Sequence, residues 1–333
     1  MAAKMSRTTQ LIAVLLVVSA IALINSCGGV GWDTWRSELY SPSQLVRLGE
    51  TYFLVDCWHN RVLYHHEIDP DLDKWQVLDG DLAGPHSIAT DGELNVVDDT
   101  GRHRLRVYRR TSKGFQHIQT VRDVGVRPHR VHYDEVTESF YVIGARSQTI
   151  SRLVAGGGGL ELLYTKELDF LEGRYTRSMS IIDDHMYFVS GPRRIHKTYH
   201  RDDSYDVVDS WAVPRAQAEM NDIFFYGGYY FLTATADWIG REFLDDNTIV
   251  QCERLEDWAT GGCTDRKQEL GLLGTPYYLT EIDGHLYLPQ GFQYSGIHRF
   301  RLTDDGELVD VEVVFDSGLP TKASQWERRR LPK

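Results

Sequence analysis

The chain has 333 residues, 42% of them hydrophobic and 25% charged, and its 48 acidic against 36 basic residues give a formal net charge of −12. This is a globular composition, long enough for one large domain or two small ones. The acidity, with no basic stripe able to neutralise phosphates, argues against a nucleic-acid partner.

Lys4 and Arg7 precede an unbroken apolar run from Leu11 to Ile24, the length of a signal-peptide core. Three fates fit it. Ala20-Ile21-Ala22 is a cleavage site, Cys27 in INSCGG is placed for lipidation, and the lack of charge from Leu11 to Trp32 suits an uncleaved anchor. Each puts the body outside the cytoplasm, as a secreted, periplasmic or membrane-anchored protein, the last tethered through its N-terminus. The expected division is a leader over 1–27, a linker over 28–40, the folded body over 41–320 and a tail over 321–333.

From Ser41 onward one pattern recurs six times, in segments beginning at Ser41, Gly84, Arg127, Thr176, Glu219 and Thr275. Each reads as a short apolar strand, a turn such as Asp91-Gly92, Gly227-Gly228 or Asp283-Gly284, a strand alternating aromatic and aliphatic residues, a polar loop and a third strand. A fourth strand follows in five copies: KWQVL, FQHIQTV, LELLY, YDVVDSW and LVDVEVVF. No useful helix-period segment lies beyond the leader. The fold class expected is therefore all-β, a six-bladed β-propeller with four-stranded antiparallel blades around a central channel.

Aligning the copies on GPHSIATDG and RPHRVHYDE superposes Ser43, His86, His129, Met179, Asn221 and Tyr277, in steps of 43, 43, 50, 42 and 56 residues. Pseudo-symmetry predicts that these ring one channel mouth, joined by Asp56, Trp58, His59, Asp98, Asp99, Arg102, Arg146 and Gln290 from loops opening on the same face. His86 and His129 are the candidate catalytic pair, as acid and base or as zinc ligands completed by Asp98, Asp99 or Asn221, while Asp98 with Asn221 and Asp56 is the candidate set for calcium. Ser43, Trp58, Arg102, Arg146, Met179, Asn221, Tyr277 and Gln290 are the candidate ligand-binding residues. Loop aromatics Trp58, Trp238, Phe292 and Tyr294 are suited to stacking on a sugar or peptide. Cys252 and Cys263 are spaced for a disulfide across a hairpin loop, whereas Cys57 has no evident partner. Serine-nucleophile, phosphate-loop and zinc-helix motifs are missing.

LNVVDDTGRHRLRVY (Leu94–Tyr108) and YFLVDCWHNRVLYH (Tyr52–His65) resemble the second and third strands of NHL repeats. Among propellers of that kind, the Pro-His blades resemble peptidyl-α-hydroxyglycine α-amidating lyase, and more distantly gluconolactonase-like propellers. The first resemblance implies catalytic zinc held by histidines at the mouth with calcium deeper inside, and here it reaches His86 and His129. The second implies a divalent ion held by carboxylates and an amide. Two functions follow as expectations: a metal-assisted lyase or hydrolase, or a non-catalytic module gripping a protein or glycan. The ligand expected is a small molecule, peptide or glycan.

Overall fold

The computed structural model describes residues 32–190, 193–214, 219–235, 247–292 and 294–318. The expected leader and tail, Cys27 and Trp238 lie outside them. A short helix α1 (Trp32–Ser37) belongs to a unit separate from the body, which runs from Leu39 to Pro320. No described helix is long and apolar enough to cross a membrane.

The body is a six-bladed β-propeller. Blade 1 contains β1 (Pro42–Leu48), β2 (Thr51–Asp56), β3 (Arg61–His65) and β4 (Gln76–Asp79), and blade 2 contains β5 (Ile88–Thr90), β6 (Leu94–Asp99), β7 (Arg104–Thr111) and β8 (Gly114–Val121). Blade 3 is β9 (Pro128–Asp134), β10 (Ser139–Gly144), β11 (Thr149–Gly156) and β12 (Gly159–Glu167). Blade 4 is β13 (Thr176–Ile182), β14 (His185–Ser190), β15 (Arg194–Tyr199) and β16 (Val207–Ala212). Blade 5 is β17 (Glu219–Tyr226), β18 (Tyr229–Thr235), β19 (Thr248–Cys252) and β20 (Thr264–Asp265), the last being the two-residue strand that the sequence pattern did not disclose. Blade 6 splits its inner strand into β21 (Thr275–Pro276) and β22 (Thr280–Ile282), both paired to β23 (His285–Gly291), and continues through β24 (Ser295–Leu302) to β25 (Leu308–Gly318).

Six apolar clusters hold the ring together, one at each blade interface. Strand alternation sends one set of side chains to each neighbour, so every sheet is covered on both faces. Each described strand belongs to a blade built from its own stretch of chain, and closure needs no exchanged strand. At the seam Leu45, Leu54 and Leu63 of blade 1 pack with Tyr287, Ile297 and Phe315 of blade 6. Tyr278 N–H donates to the Ser43 carbonyl at 3.1 Å and Thr280 Oγ1 to that of Leu45.

Four inner strands share a register shift near their start. On β1, β13 and β17 it leaves Ser43, Arg177 and Asn221 as the extra residue, and His129 is the equivalent on β9. His86 precedes β5, and Tyr277 follows β21 with its N–H on the Pro289 carbonyl at 2.9 Å. A bulge of this kind re-aims its residue out of the ladder. Four of the six equivalent residues sit on such bulges, and His86 and Tyr277 hold the matching places just outside paired segments.

Candidate functional site at the channel mouth

The ring of equivalent inner-strand residues is Ser43, His86, His129, Arg177, Asn221 and Tyr277. Met179 falls two residues from the place expected for it: it pairs with Phe188 and is fully buried among Tyr141, Ile150 and Leu171 between blades 3 and 4. The physical reason is that Thr176, not Ser178, occupies the strand-entry position that proline holds in blades 1 to 3. Arg177 therefore stands where His86 and His129 stand. The sequence signal was the frame Thr-Arg-Ser-Met against Pro-His-Arg-Val, with the apolar fourth residue as its guide.

His86 and His129 are brought face to face, with ring centroids 3.8 Å apart and planes 15° from parallel. Tyr277 stacks on His86 at 5.4 Å. His86 is 6% exposed, His129 2% and Tyr277 5%, so the three rings are packed against one another at the mouth. Burial, followed by the charges of Arg127 and Arg177, holds His86 well below the ordinary histidine range. Burial, then His86 and the same two arginines, does so for His129. Both imidazoles are neutral at pH 7.

Tyr278, from blade 6, crosses the channel to blades 3 and 4. Its hydroxyl lies 2.8 Å from His129 Nδ1, 2.9 Å from the His129 carbonyl and 3.1 Å from the Arg177 carbonyl. The hydroxyl has one proton, which a carbonyl takes, so at the imidazole it accepts. His129 thus carries its proton on Nδ1 and its lone pair on Nε2. His86 Nε2 faces the buried thiol of Cys57 at 3.7 Å, while His86 Nδ1 is buried without a partner. Burial, reinforced by Asp98 and Asp56, pushes the Cys57 thiol well up and keeps it protonated.

Two guanidiniums complete the mouth. Arg127 and Arg177 lie over the ring of Tyr175 at 5.8 and 5.3 Å, and Tyr175 meets His129 edge-on at 5.8 Å. Arg127 Nε donates to the Tyr175 hydroxyl at 3.1 Å, and Arg177 Nη1 to Glu219 at 2.5 Å. Glu219 offsets the charge of Arg177, so the local excess of positive charge is that of Arg127, on a protein of net charge −12. Sequence reasoning passed over Arg127, Arg177 and Tyr175 as site residues and gave Tyr278 and Cys57 no role at the mouth.

The other expected residues are engaged elsewhere. Asp98 holds the entry to β5 rather than facing the channel: its carboxylate accepts from Ser87 N at 2.6 Å, Ser87 Oγ at 2.8 Å, His86 N at 3.0 Å and Thr100 Oγ1 at 2.5 Å. Burial outweighs these donors and pushes it up to about 7. Asp56 receives Arg61 Nε at 3.0 Å and His59 Nδ1 at 2.8 Å, and Asp99 receives Arg104 at 2.6 Å. Ser43 Oγ donates to the His86 carbonyl at 2.8 Å, and Arg102 pairs with Asp81. Gln290 Oε1 accepts the N–H groups of Leu273 and Gly274, both at 3.0 Å, and its amide reaches His298. Arg146 is exposed, and Trp58 meets Phe292 edge-on at 5.7 Å. Tyr294 is buried with its hydroxyl on Asp316 at 2.7 Å. Cys252 and Cys263 form a disulfide around the turn Leu255–Thr260.

Ligand sets for a shared ion do not fit this geometry. Two imidazoles on one tetrahedral zinc, with Zn–N near 2 Å, diverge to put their centroids about 5 Å apart, whereas these lie flat on each other. Asp98 has its oxygens committed to its own loop. Among the described residues the close three-ligand grouping is His65, His66 and Glu67, at the exposed end of β3.

Neither a protein-family profile nor a curated protein matches the chain. Solved structures do. A candidate 6-phosphogluconolactonase of Bacteroides uniformis has 12% identity and a TM-score of 0.57, over 82% of this chain and 84% of that one. A second, of Bacteroides fragilis, has 13% identity and a TM-score of 0.57 over 83% and 85%. A protein of Lactobacillus plantarum has 13% identity and a TM-score of 0.50 over 84% and 82%. At these identities the likeness is one of fold, and the chain is a β-propeller with lactonase-like structural neighbours.

Proposed function

We propose that the mouth binds a small anionic molecule, of the class of sugar acids and their lactones, and hydrolyses an ester or lactone bond in it. The observation that carries this reading is the neutral imidazole pair set beside two guanidiniums gathered over Tyr175. Arginine suits carboxylate and phosphate recognition, and a neutral imidazole with a free lone pair suits a general base. In this reading His129 Nε2 takes a proton from water as its oxygen bonds to the carbonyl carbon. The ring C–O bond then breaks, and the departing alkoxide receives that proton back from the imidazolium. Arg177 and Arg127 hold the anionic end. The names of the Bacteroides neighbours support the substrate class, and no step needs a metal.

A second reading is binding without turnover, of a glycan or peptide. The Trp58–Phe292 pair at the seam between blades 1 and 6 favours it, because such aromatics offer a stacking edge. In either case we read the chain as extracytoplasmic, secreted, periplasmic or tethered by its N-terminus. The Cys252–Cys263 disulfide supports that.

The test is acid release from 6-phosphogluconolactone and gluconolactone at pH 7. Catalysis should fall about a hundredfold or more in His129→Gln, and Arg177→Gln should raise KM for the phosphorylated lactone more than for the neutral one. Rates no faster than spontaneous opening with the wild-type protein overturn the hydrolase reading.

A further inference from the structure

One residue deeper than the ring at the mouth, each inner strand presents Gln44, Ser87, Arg130, Ser178, Asp222 or Tyr278. Four of these are satisfied by neighbours. Gln44 Oε1 accepts Ile88 N–H at 2.8 Å, Ser87 Oγ joins Asp98 and Val131 N, Ser178 Oγ donates to Asp222 Oδ1 at 2.7 Å, and Tyr278 spans to blades 3 and 4.

Arg130 and Asp222 are not. The Arg130 guanidinium lies 4.0 Å over the Tyr278 ring, the residue is 6% exposed, and its Nε and Nη1 have no hydrogen-bond partner. Asp222 is 1% exposed and its Oδ2 is likewise unpartnered, as are Asn221 Oδ1 and Thr233 Oγ1 beside it. Arg130 is the charge that most favours the Asp222 carboxylate, against the burial that pushes it up, yet the two form no direct ion pair. Buried polar groups in folded proteins are almost always hydrogen-bonded, and an unpaired buried charge is costly. Asp222 Oδ1 is taken by Ser178 and Ser180 and Asn221 Nδ2 by the Pro276 carbonyl, so the atoms left buried and unpartnered are two Arg130 nitrogens on blade 3 and three oxygens of Asp222, Asn221 and Thr233 on blade 5.

We propose that the space between Arg130 and Asp222 is a binding site for a small carboxylate carrying a hydrogen-bond donor on the adjacent carbon, an amino or hydroxy acid. Its carboxylate accepts from Arg130 Nε and Nη1. Its ammonium or hydroxyl donates to Asp222 Oδ2 and Asn221 Oδ1. A simple anion satisfies Arg130 alone and faces the Asp222 carboxylate, and a simple cation does the reverse. The site is separate from the His86–His129 pair and does not rest on the hydrolase reading.

The experiment is titration of the purified protein with glycine, glycolate, acetate and ethanolamine, read by melting temperature and by calorimetry. Glycine or glycolate should give a saturable upward shift, with acetate and ethanolamine at least tenfold weaker. Glycine binding should weaken at least tenfold in Asp222→Asn and in Arg130→Met. Arg130→Lys, which keeps the charge, serves if Arg130→Met does not fold. Arg177→Gln at the mouth should leave it unchanged. No saturable shift from any of the four overturns the proposal. Acetate binding as well as glycine does overturns the two-ended guest, and loss in Arg177→Gln assigns the binding to the mouth instead.

Discussion

The Tyr278 hydroxyl of blade 6 sits 2.8 Å from Nδ1 of His129 in blade 3, so a single side chain spans the channel and fixes the tautomer of an imidazole on another blade. The same oxygen serves two carbonyls, of His129 and Arg177. Tyr278→Phe should therefore cost about 1–3 kcal/mol in urea unfolding, the penalty for stranding buried partners. In the same variant the ring-nitrogen NMR shifts of His129 should lose the preference for protonation at Nδ1. Unchanged stability and unchanged shifts would show that the contact carries neither load.

His86 and His129 are held neutral by burial, and the sign of the resulting pH dependence follows. Their folded values lie below the unfolded 6.5, so below that pH the unfolded chain binds more protons and stability is lost as pH falls. The melting temperature should drop from pH 7 to pH 5 in the wild type, and by less in His86→Gln and His129→Gln. A drop of equal size in all three would place the acid sensitivity elsewhere.

Asp98 acts in the opposite sense. Its folded value of about 7 exceeds the ordinary 3.8, so between roughly pH 4 and 7 the folded state holds the extra proton and this group's contribution to stability falls as pH rises. Asp98→Asn removes that contribution. The variant should lose stability more steeply than wild type as pH drops from 7 to 5, because one of the groups opposing the two histidines is then gone. A shallower profile would show that Asp98 is ionised throughout, held by its four donors.

Reducing the Cys252–Cys263 bond should lower stability by about 2–3 kcal/mol, the loop-closure entropy of a ring of this size. Urea unfolding with and without dithiothreitol measures it, with Cys252→Ser as the matching variant. The fold should persist, because six blade interfaces remain.

The blades were legible in the sequence because period-2 alternation and turn residues recur with little interruption, and the two Pro-His entries mark consecutive blades. The mouth was legible only in part. His86, His129, Asn221 and Tyr277 could be placed because an apolar strand follows each at fixed distance. Arg177 was hidden by a threonine in the place of proline, which shifted the alignment onto Met179, a core residue. Tyr278 was unreadable for a different reason: its partners lie on blades 3 and 4, and no local pattern records which side chain is long enough to cross a channel. Asp98 and Gln290 illustrate the converse, since a polar residue near a mouth satisfies its own loop as readily as a ligand.

The claim that the mouth takes an anionic ligand is tested most directly by calorimetric titration with 6-phosphogluconate and with uncharged glucose, in the wild type and in Arg177→Gln. The account predicts saturable binding of the phosphorylated acid, no binding of glucose at the same concentrations, and at least a tenfold loss of affinity in the variant. Equal affinity for the two compounds, or binding of the acid undiminished in Arg177→Gln, would contradict it.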